Sequence, residues 1–304
     1  MARIILFFFF PFTFLAQTLT VQSPVRFLAL GDSYTIGESV SANESWPKQF
    51  VDSLAQRGVT IDTLCIIAKT GWCTDNLINA ITNEQLDKQH YNLVAILIGV
   101  NNQYQSRPIS EYVQQFPQLL DSAIRYAGGD TNHVFIVSIP DYAATPNGQE
   151  SNPENIKAGI NNYNSINKYF ADKYHIRYFD ITPISRLGLF RPYLVADDGL
   201  HPSAIQYSAW VKLILNNDLM DVLNDFSDKE LLIYPNAVSD KLSVFYPLKI
   251  SKVLELFDSN GKSVLKQEMN GELIDLWLKD LSKGIYTLHL VYKGGQISKK
   301  VIKY

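Results

Sequence analysis

The chain has 304 residues, 46% of them hydrophobic and 19% charged, with a formal net charge of −3. That length exceeds what one compact domain usually takes, and the apolar share is enough to build cores, which excludes an intrinsically disordered chain. The chain carries no strong basic excess, so no nucleic-acid partner is suggested.

The chain opens on Arg3, an apolar run over residues 4–15, and the small residue Ala16. A basic start, an apolar middle and a small residue at the cut are the parts of a secretory signal, although Phe14 stands where a small residue is preferred. A bilayer core takes about 20 residues to cross. This run is shorter, and Pro11 interrupts it. Residues 1–16 are therefore expected to be a signal peptide. Export permits the two cysteines, Cys65 and Cys73, to pair. Their settings, one in an apolar strand-like run and one behind a loop glycine, favour two free thiols.

Apolar runs at 25–30, 61–68, 93–99, 133–140 and 176–181 read as strands buried on both faces. Helical patterns alternate with them. Trp46, Phe50 and Leu54 recur every fourth residue, with Pro47 at the start and Gly58 past the end. Ser110 is placed to cap a helix running to about Tyr126, in which Pro117 is expected to kink the helix or delay its start. Ile156, Ile160, Tyr163, Ile166 and Phe170 mark another stripe. A last long helix is expected over 203–223. Such alternation predicts an α/β fold, a three-layer α/β/α sandwich around a parallel sheet.

From Leu231 the pattern changes to short strands with turn signals at Asn260-Gly261 and Gly294-Gly295, the mark of a small all-β sandwich. No arginine follows Arg191, and residues 229–304 hold 12 lysines against 8 acids, a net of +4 that leaves −7 for the preceding part. A first domain over 17–226, a second over 227–304, and a linker over 224–230 are expected.

The segment Gly31-Asp32-Ser33-Tyr34-Thr35 puts a serine between a buried strand and a helix start, at the carboxyl edge of the sheet where open α/β sheets build sites. Its N–H and the positive end of the helix would face any anion formed there. Alone, this reads rather as an ordinary cap after a strand. Near the end of the same domain stands Asp198-Gly199-Leu200-His201. A serine hydroxyl needs a base, imidazole suits neutral pH, and a carboxylate on the second ring nitrogen fixes the tautomer. The spacing lets Asp198 fold back onto His201. Alone, this is equally a surface turn. Asp32 reads as a support of the serine loop. Trp72 and Tyr104 are candidates to line a cleft, with Tyr142 a further aromatic, whereas Trp46 and Tyr207 sit on helical stripes and read as core. No His or Cys cluster has metal-ligand spacing and no glycine loop is built to hold phosphate, so no metal and no cofactor is expected.

Taken together, Gly31-Asp32-Ser33, Thr70-Gly71-Trp72, Gly99-Val100-Asn101-Asn102 and Asp198-x-x-His201, each after a successive strand, resemble the SGNH (GDSL-type) hydrolase superfamily over about residues 25–223. The resemblance implies a flavodoxin-like sheet and a carboxylic-ester hydrolase with Ser33 as nucleophile, His201 as base and Asp198 behind it. It also implies an oxyanion hole made of the Ser33 N–H, the Gly71 N–H and the Asn101 amide. Tyr34 replaces the usual aliphatic residue and Asn102 the common aspartate; neither belongs to the triad or the oxyanion hole. The superfamily handles short-chain acyl esters on carbohydrates and lysophospholipid-type esters, and both stay open as substrates. A catalytically silent surface-binding protein on the same fold is the alternative, against which the four intact blocks speak.

The later blocks Tyr234-Pro235-Asn236, Asp258-Ser259-Asn260-Gly261-Lys262, Leu281-Ser282-Lys283-Gly284-Ile285-Tyr286 and Lys299-Lys300-Val301-Ile302-Lys303 resemble a type IX secretion sorting domain. That resemblance implies the outer-membrane type IX machinery as partner and a secreted or cell-surface protein exported through the periplasm. A carbohydrate-binding β module is the competing reading.

Overall fold

The structure is a computed structural model that describes residues 19, 21–84, 86, 90–227, 230–247 and 251–304; the expected signal peptide at 1–16 lies outside them. Strands β1 (Val25–Gly31), β2 (Ile61–Ala68), β3 (Leu93–Leu97), β4 (Val134–Val137) and β5 (Arg177–Phe179) form a parallel sheet in the order β2-β1-β3-β4-β5. The helices are α1 (Ser33–Ile36), α2 (Trp46–Gln56), α3 (Thr74–Asn83), α4 (Val100–Tyr104), α5 (Ile109–Tyr126), α6 (Pro146–Glu150), α7 (Pro153–Tyr174), α8 (Thr182–Arg186), α9 (Ala204–Asn216) and α10 (Leu219–Ser227). α2 packs with α9 on one face of the sheet, and α3, α5 and α7 pack in succession on the other. The expected three layers are present. β3 and β4 are wholly buried, as parallel strands covered on both faces must be.

Register decides where a site can form. Gly31 at the end of β1 stands level with Ala68 of β2 and Leu97 of β3. The turns that follow these three strands therefore open together at one edge, where the strand order reverses around β1.

Two helices depart from the sequence pattern. α5 runs unbroken from Ile109 to Tyr126 with Pro117 inside it. The lost hydrogen bond and ring clash cost about 3 kcal/mol. Burial of Tyr112, Phe116, Leu119, Leu120 and Ala123 on one stripe outweighs that. The single helix expected over 203–223 is two. Asn217 ends α9 in the left-handed conformation with φ 53°, and the Asp218 carboxylate accepts the Asp221 N–H at 3.0 Å to start α10. α10 then continues through Ser227, so residues 224–227 of the expected linker are helical.

The C-terminal part is all antiparallel: β6 (Leu232–Tyr234), β7 (Lys241–Phe245), β8 (Lys252–Phe257), β9 (Ser263–Met269), β10 (Leu273–Trp277), β11 (Gly284–Tyr292) and β12 (Gly295–Lys303). They make two sheets, β10-β7-β6 and β12-β11-β8-β9, with Leu242, Val244, Leu254, Leu288 and Val301 in the core they share. The hairpins turn at Asn260-Gly261 and Gly294 as the sequence predicts. This unit also leans on the first one. Leu232 and Phe245 join the core of the α/β domain, the Phe190 and Phe245 rings lie 5.9 Å apart, and Lys157 of α7 pairs with Asp275 of β10 at 2.6 Å. Ser243 donates to the same Asp275, and Lys241 pairs with Glu154.

Candidate active site

Asp32 and Ser33 stand at the end of β1. Asp32 caps α1, its Oδ1 accepting the Tyr34 N–H at 3.0 Å, which holds the serine turn as expected. The Asp32 carboxyl is fully buried. Burial raises it to about 7, against the lowering effect of the Tyr34 N–H. Ser33 is 5% exposed.

His201 arrives on a hairpin-like loop in which the Ala196 N–H donates to the His201 carbonyl and Val195 bridges Pro202. Asp198 curls back within that loop, its Oδ1 taking the N–H groups of Leu200 and His201, each at 2.9 Å. Its Oδ2 lies 2.5 Å from His201 Nδ1, and His201 Nε2 lies 3.0 Å from Ser33 Oγ. A carboxylate only accepts, so the ring proton sits on Nδ1 and the Nε2 lone pair faces the serine hydroxyl. Burial acts to raise the Asp198 carboxyl. Hydrogen bonds from the Ser39 hydroxyl, the His201 ring and the two backbone N–H groups outweigh it and hold the group well below the usual carboxylate range. The Tyr34 ring packs edge-on against the imidazole at 5.6 Å.

The Gly71 turn follows β2. Trp72 donates its N–H to the Lys69 carbonyl, and Gly71 at the third position has φ 82°, as a type II turn requires. Gln105 Nε2 donates to the Gly71 carbonyl at 3.0 Å, and Asn101 Nδ2 donates to the Trp72 carbonyl at 3.0 Å. Asn101 sits at the start of α4 behind Gly99, whose φ of 122° and closeness to the Tyr112 ring exclude any side chain. Asn102 is fully buried and exchanges hydrogen bonds with Thr74 at the start of α3.

These elements enclose an open cleft of about 260 Å³ lined by Ser33, Tyr34, Gly71, Asn101, Tyr104 and His201, with Thr70, Val100, Gln105, Tyr142 and Leu200. Ser33, His201 and the residues expected to form an oxyanion hole thus share one cleft, with Asp198 behind His201. Tyr104 lines it, 64% exposed, with its ring edge on Tyr142 at 5.9 Å. Trp72 is absent from the lining and packs against the core, its carbonyl rather than its ring serving the site. Trp46 and Tyr207 are fully buried. Cys65 and Cys73 are free thiols, Cys73 buried. The sequence reading missed Gln105, Leu200 and Ser39, polar or apolar loop residues that carry no spacing signal. Among the described residues no cluster of His, Cys, Asp or Glu is arranged to hold a metal, and no helix is long and apolar enough to cross a membrane.

Known proteins share this architecture. A lipase/acylhydrolase from Enterococcus faecalis aligns with a TM-score of 0.51 at 20% identity, over 64% of this chain and 94% of its own. A lipase from a goat rumen metagenome aligns with 0.53 at 18%, over 64% and 96%. An acetylxylan esterase from Geobacillus stearothermophilus aligns with 0.50 at 17%, over 66% and 97%. At these identities the likeness is one of fold. No protein of curated function matches the chain. Residues 232–304 match the secretion system C-terminal sorting domain, the tail by which type IX machinery exports its cargo to the cell surface or the extracellular space. Residues 29–209, more than half of the chain, match the sequence model of the GDSL-like lipase/acylhydrolase family, and the chain belongs to that family.

Proposed function

We propose that the protein is an exported carboxylic-ester hydrolase that works through an acyl-enzyme on Ser33, with short-chain acyl esters of a carbohydrate or similar polar alcohol as its substrates. The unbroken run from Ser33 Oγ through His201 Nε2 and Nδ1 to Asp198 Oδ2, at 3.0 and 2.5 Å inside an open cleft, carries this reading. Ser33 Oγ attacks the ester carbonyl carbon while its proton passes to His201 Nε2, and Asp198 stabilises the imidazolium. The carbonyl oxygen becomes an oxyanion that the Ser33 N–H, the Gly71 N–H and the second hydrogen of the Asn101 amide stabilise, each donor contributing about 3 kcal/mol. Collapse expels the alcohol, which takes the proton from Nε2. Water, deprotonated by the same nitrogen, then attacks the acyl-enzyme and releases the acid.

The cleft volume, about 260 Å³, lies below the range of about 300–1,000 Å³ usual for drug-sized ligands, which speaks for a short acyl group over a lysophospholipid-type ester. Thr70, Gln105 and the Tyr104 hydroxyl offer polar groups to the alcohol part, beside the apolar lining of Val100 and Leu200. Turnover of p-nitrophenyl esters of rising chain length tests this: the rate is expected to be high for acetate and butyrate and to fall steeply towards palmitate. A maximum at long chains overturns the substrate reading.

A further inference from the structure

The segment that follows the nucleophile returns to the site. The Ser33 carbonyl accepts the N–H groups of Gly37 and Glu38 at 3.1 and 3.0 Å, so the turn that begins at Ser33 is tied back to it. Glu38 accepts the Thr70 hydroxyl, next to Gly71. Ser39 then takes φ 66°, a left-handed conformation that disfavours a side chain by about 1–3 kcal/mol. In that conformation its Oγ reaches Asp198 Oδ2 at 2.6 Å, across 159 residues of chain. This is the same oxygen that holds His201 Nδ1.

We propose that Ser39 is a positioning residue of the ester hydrolysis: its hydroxyl, aimed by the strained backbone, fixes the Asp198 carboxylate in the plane that holds His201 towards Ser33. The proposal rests on the triad reading above. Asp198 Oδ1 is already fixed by two N–H groups of its own loop, but Oδ2 has no backbone donor from that loop. Ser39 is the group that ties Oδ2 to the nucleophile's turn, so the acid and the nucleophile move as one body. The hydroxyl also withdraws charge from Oδ2. Without it the carboxylate stabilises the imidazolium more and orients it less. The other titratable groups near the imidazole and Asp198 are Tyr34 on α1, Asp32 and Glu38 on either side of it, Asp141 and Tyr142 after β4, and Tyr207 on α9.

The test compares Ser39→Ala and Ser39→Gly with the full-length protein on p-nitrophenyl acetate. Both delete the hydroxyl, and glycine also relieves the left-handed strain. Expected in both are a fall in kcat of about tenfold with KM little changed, and an acid limb of the kcat/KM profile displaced towards higher pH. Titration of the His201 ring by NMR, which needs no turnover, is expected to shift in the same direction. Wild-type kcat and an unmoved limb in Ser39→Gly would show that position 39 serves backbone conformation alone and overturn the proposal. If Ser33→Ala hydrolysed the ester as fast as wild type, the triad reading would fall. The NMR titration would still report whether Ser39 acts on the Asp198–His201 pair.

Discussion

The Asn101 amide donates to the carbonyl of Trp72 at 3.0 Å, which binds the turn after β3 to the turn after β2 and leaves the second amide hydrogen for the cleft. Replacing Asn101 with Ala is expected to lower kcat by about a hundredfold or more, the effect of losing one oxyanion donor. Its neighbour behaves differently. Asn102 is buried against Thr74, so Asn102→Ala is expected to change kcat far less and to lower stability by about 1–3 kcal/mol. Equal loss of rate in both would mean that the Gly99-Val100-Asn101-Asn102 block is misread.

Ser33→Ala is expected to abolish ester hydrolysis and labelling by a fluorophosphonate while leaving the fold intact. The residue projects into the cleft, and the strand end is held by Asp32 rather than by the serine hydroxyl. Circular dichroism together with turnover checks this. Near-normal turnover in the folded variant sinks the assignment.

The rate is expected to rise with pH as the imidazole loses its proton, because only the neutral ring accepts one from Ser33. Asp198 adds no second limb near neutrality. Its carboxyl is held below the ordinary range, so its contribution is present above the unfolded value and is lost only as pH falls through the folded one. Asp198→Asn is expected to keep the fold and reduce kcat by about a thousandfold or more, since an amide no longer selects the Nδ1–H tautomer. A rate independent of pH between about 5 and 8 would argue against a histidine base.

Asp32 has the opposite sign. Its carboxyl rises on folding to about 7, so the native state takes up a proton that the unfolded chain releases. That makes the folded form most favoured at acid pH and progressively less so as pH climbs through this window, by up to about 4 kcal/mol. Asparagine also caps helices and carries no charge. Asp32→Asn is therefore expected to be more stable than wild type at pH 8, with the difference shrinking towards pH 5. Denaturant melts at the two pH values check it, and a difference that grows on acidification would refute it.

A chain ending at Asp228 keeps Ser33, Gly71, Asn101, Asp198 and His201. It is expected to hydrolyse short esters with kcat/KM within about twofold of the whole protein, because each named group of the proposed reaction lies in the α/β part. It also loses Leu232 and Phe245 from the shared core, so its Tm is expected to fall by roughly 5 °C. Without the tail it is expected to stay in the periplasm of a host with type IX machinery, as fractionation will show. A folded but inactive chain would mean that the β domain shapes the cleft.

Most of this was legible in the sequence where a local signal coincided with a long-range one. The strand-end blocks at Ser33, Gly71 and Asn101 were readable because the parallel strands β1, β2 and β3 bring their ends level, so each block's place in the chain fixes its place in the site, whereas His201 comes in on a loop well after β5. Pro117 misled because a propensity was weighed without the burial that overrides it. Asn217 and Asp218 misled in the other direction: two cap residues inside an apolar pattern split a helix that the stripe alone continues. Trp72 was misplaced because a residue's neighbour in sequence says nothing of where its ring points. Ser39 left no trace, since its partner is 159 residues away and only the fold sets its φ.

The shared face between the two units has a consequence for release at the cell surface. Lys157 with Asp275, Lys241 with Glu154, and Phe245 against Phe190 hold the tail to the α/β body independently of the peptide link. Cutting the backbone between Ser227 and Leu232 is therefore expected to leave the two units in contact. A protein cut there is expected to travel as one species through size exclusion at low salt, and to part as salt screens the ion pairs.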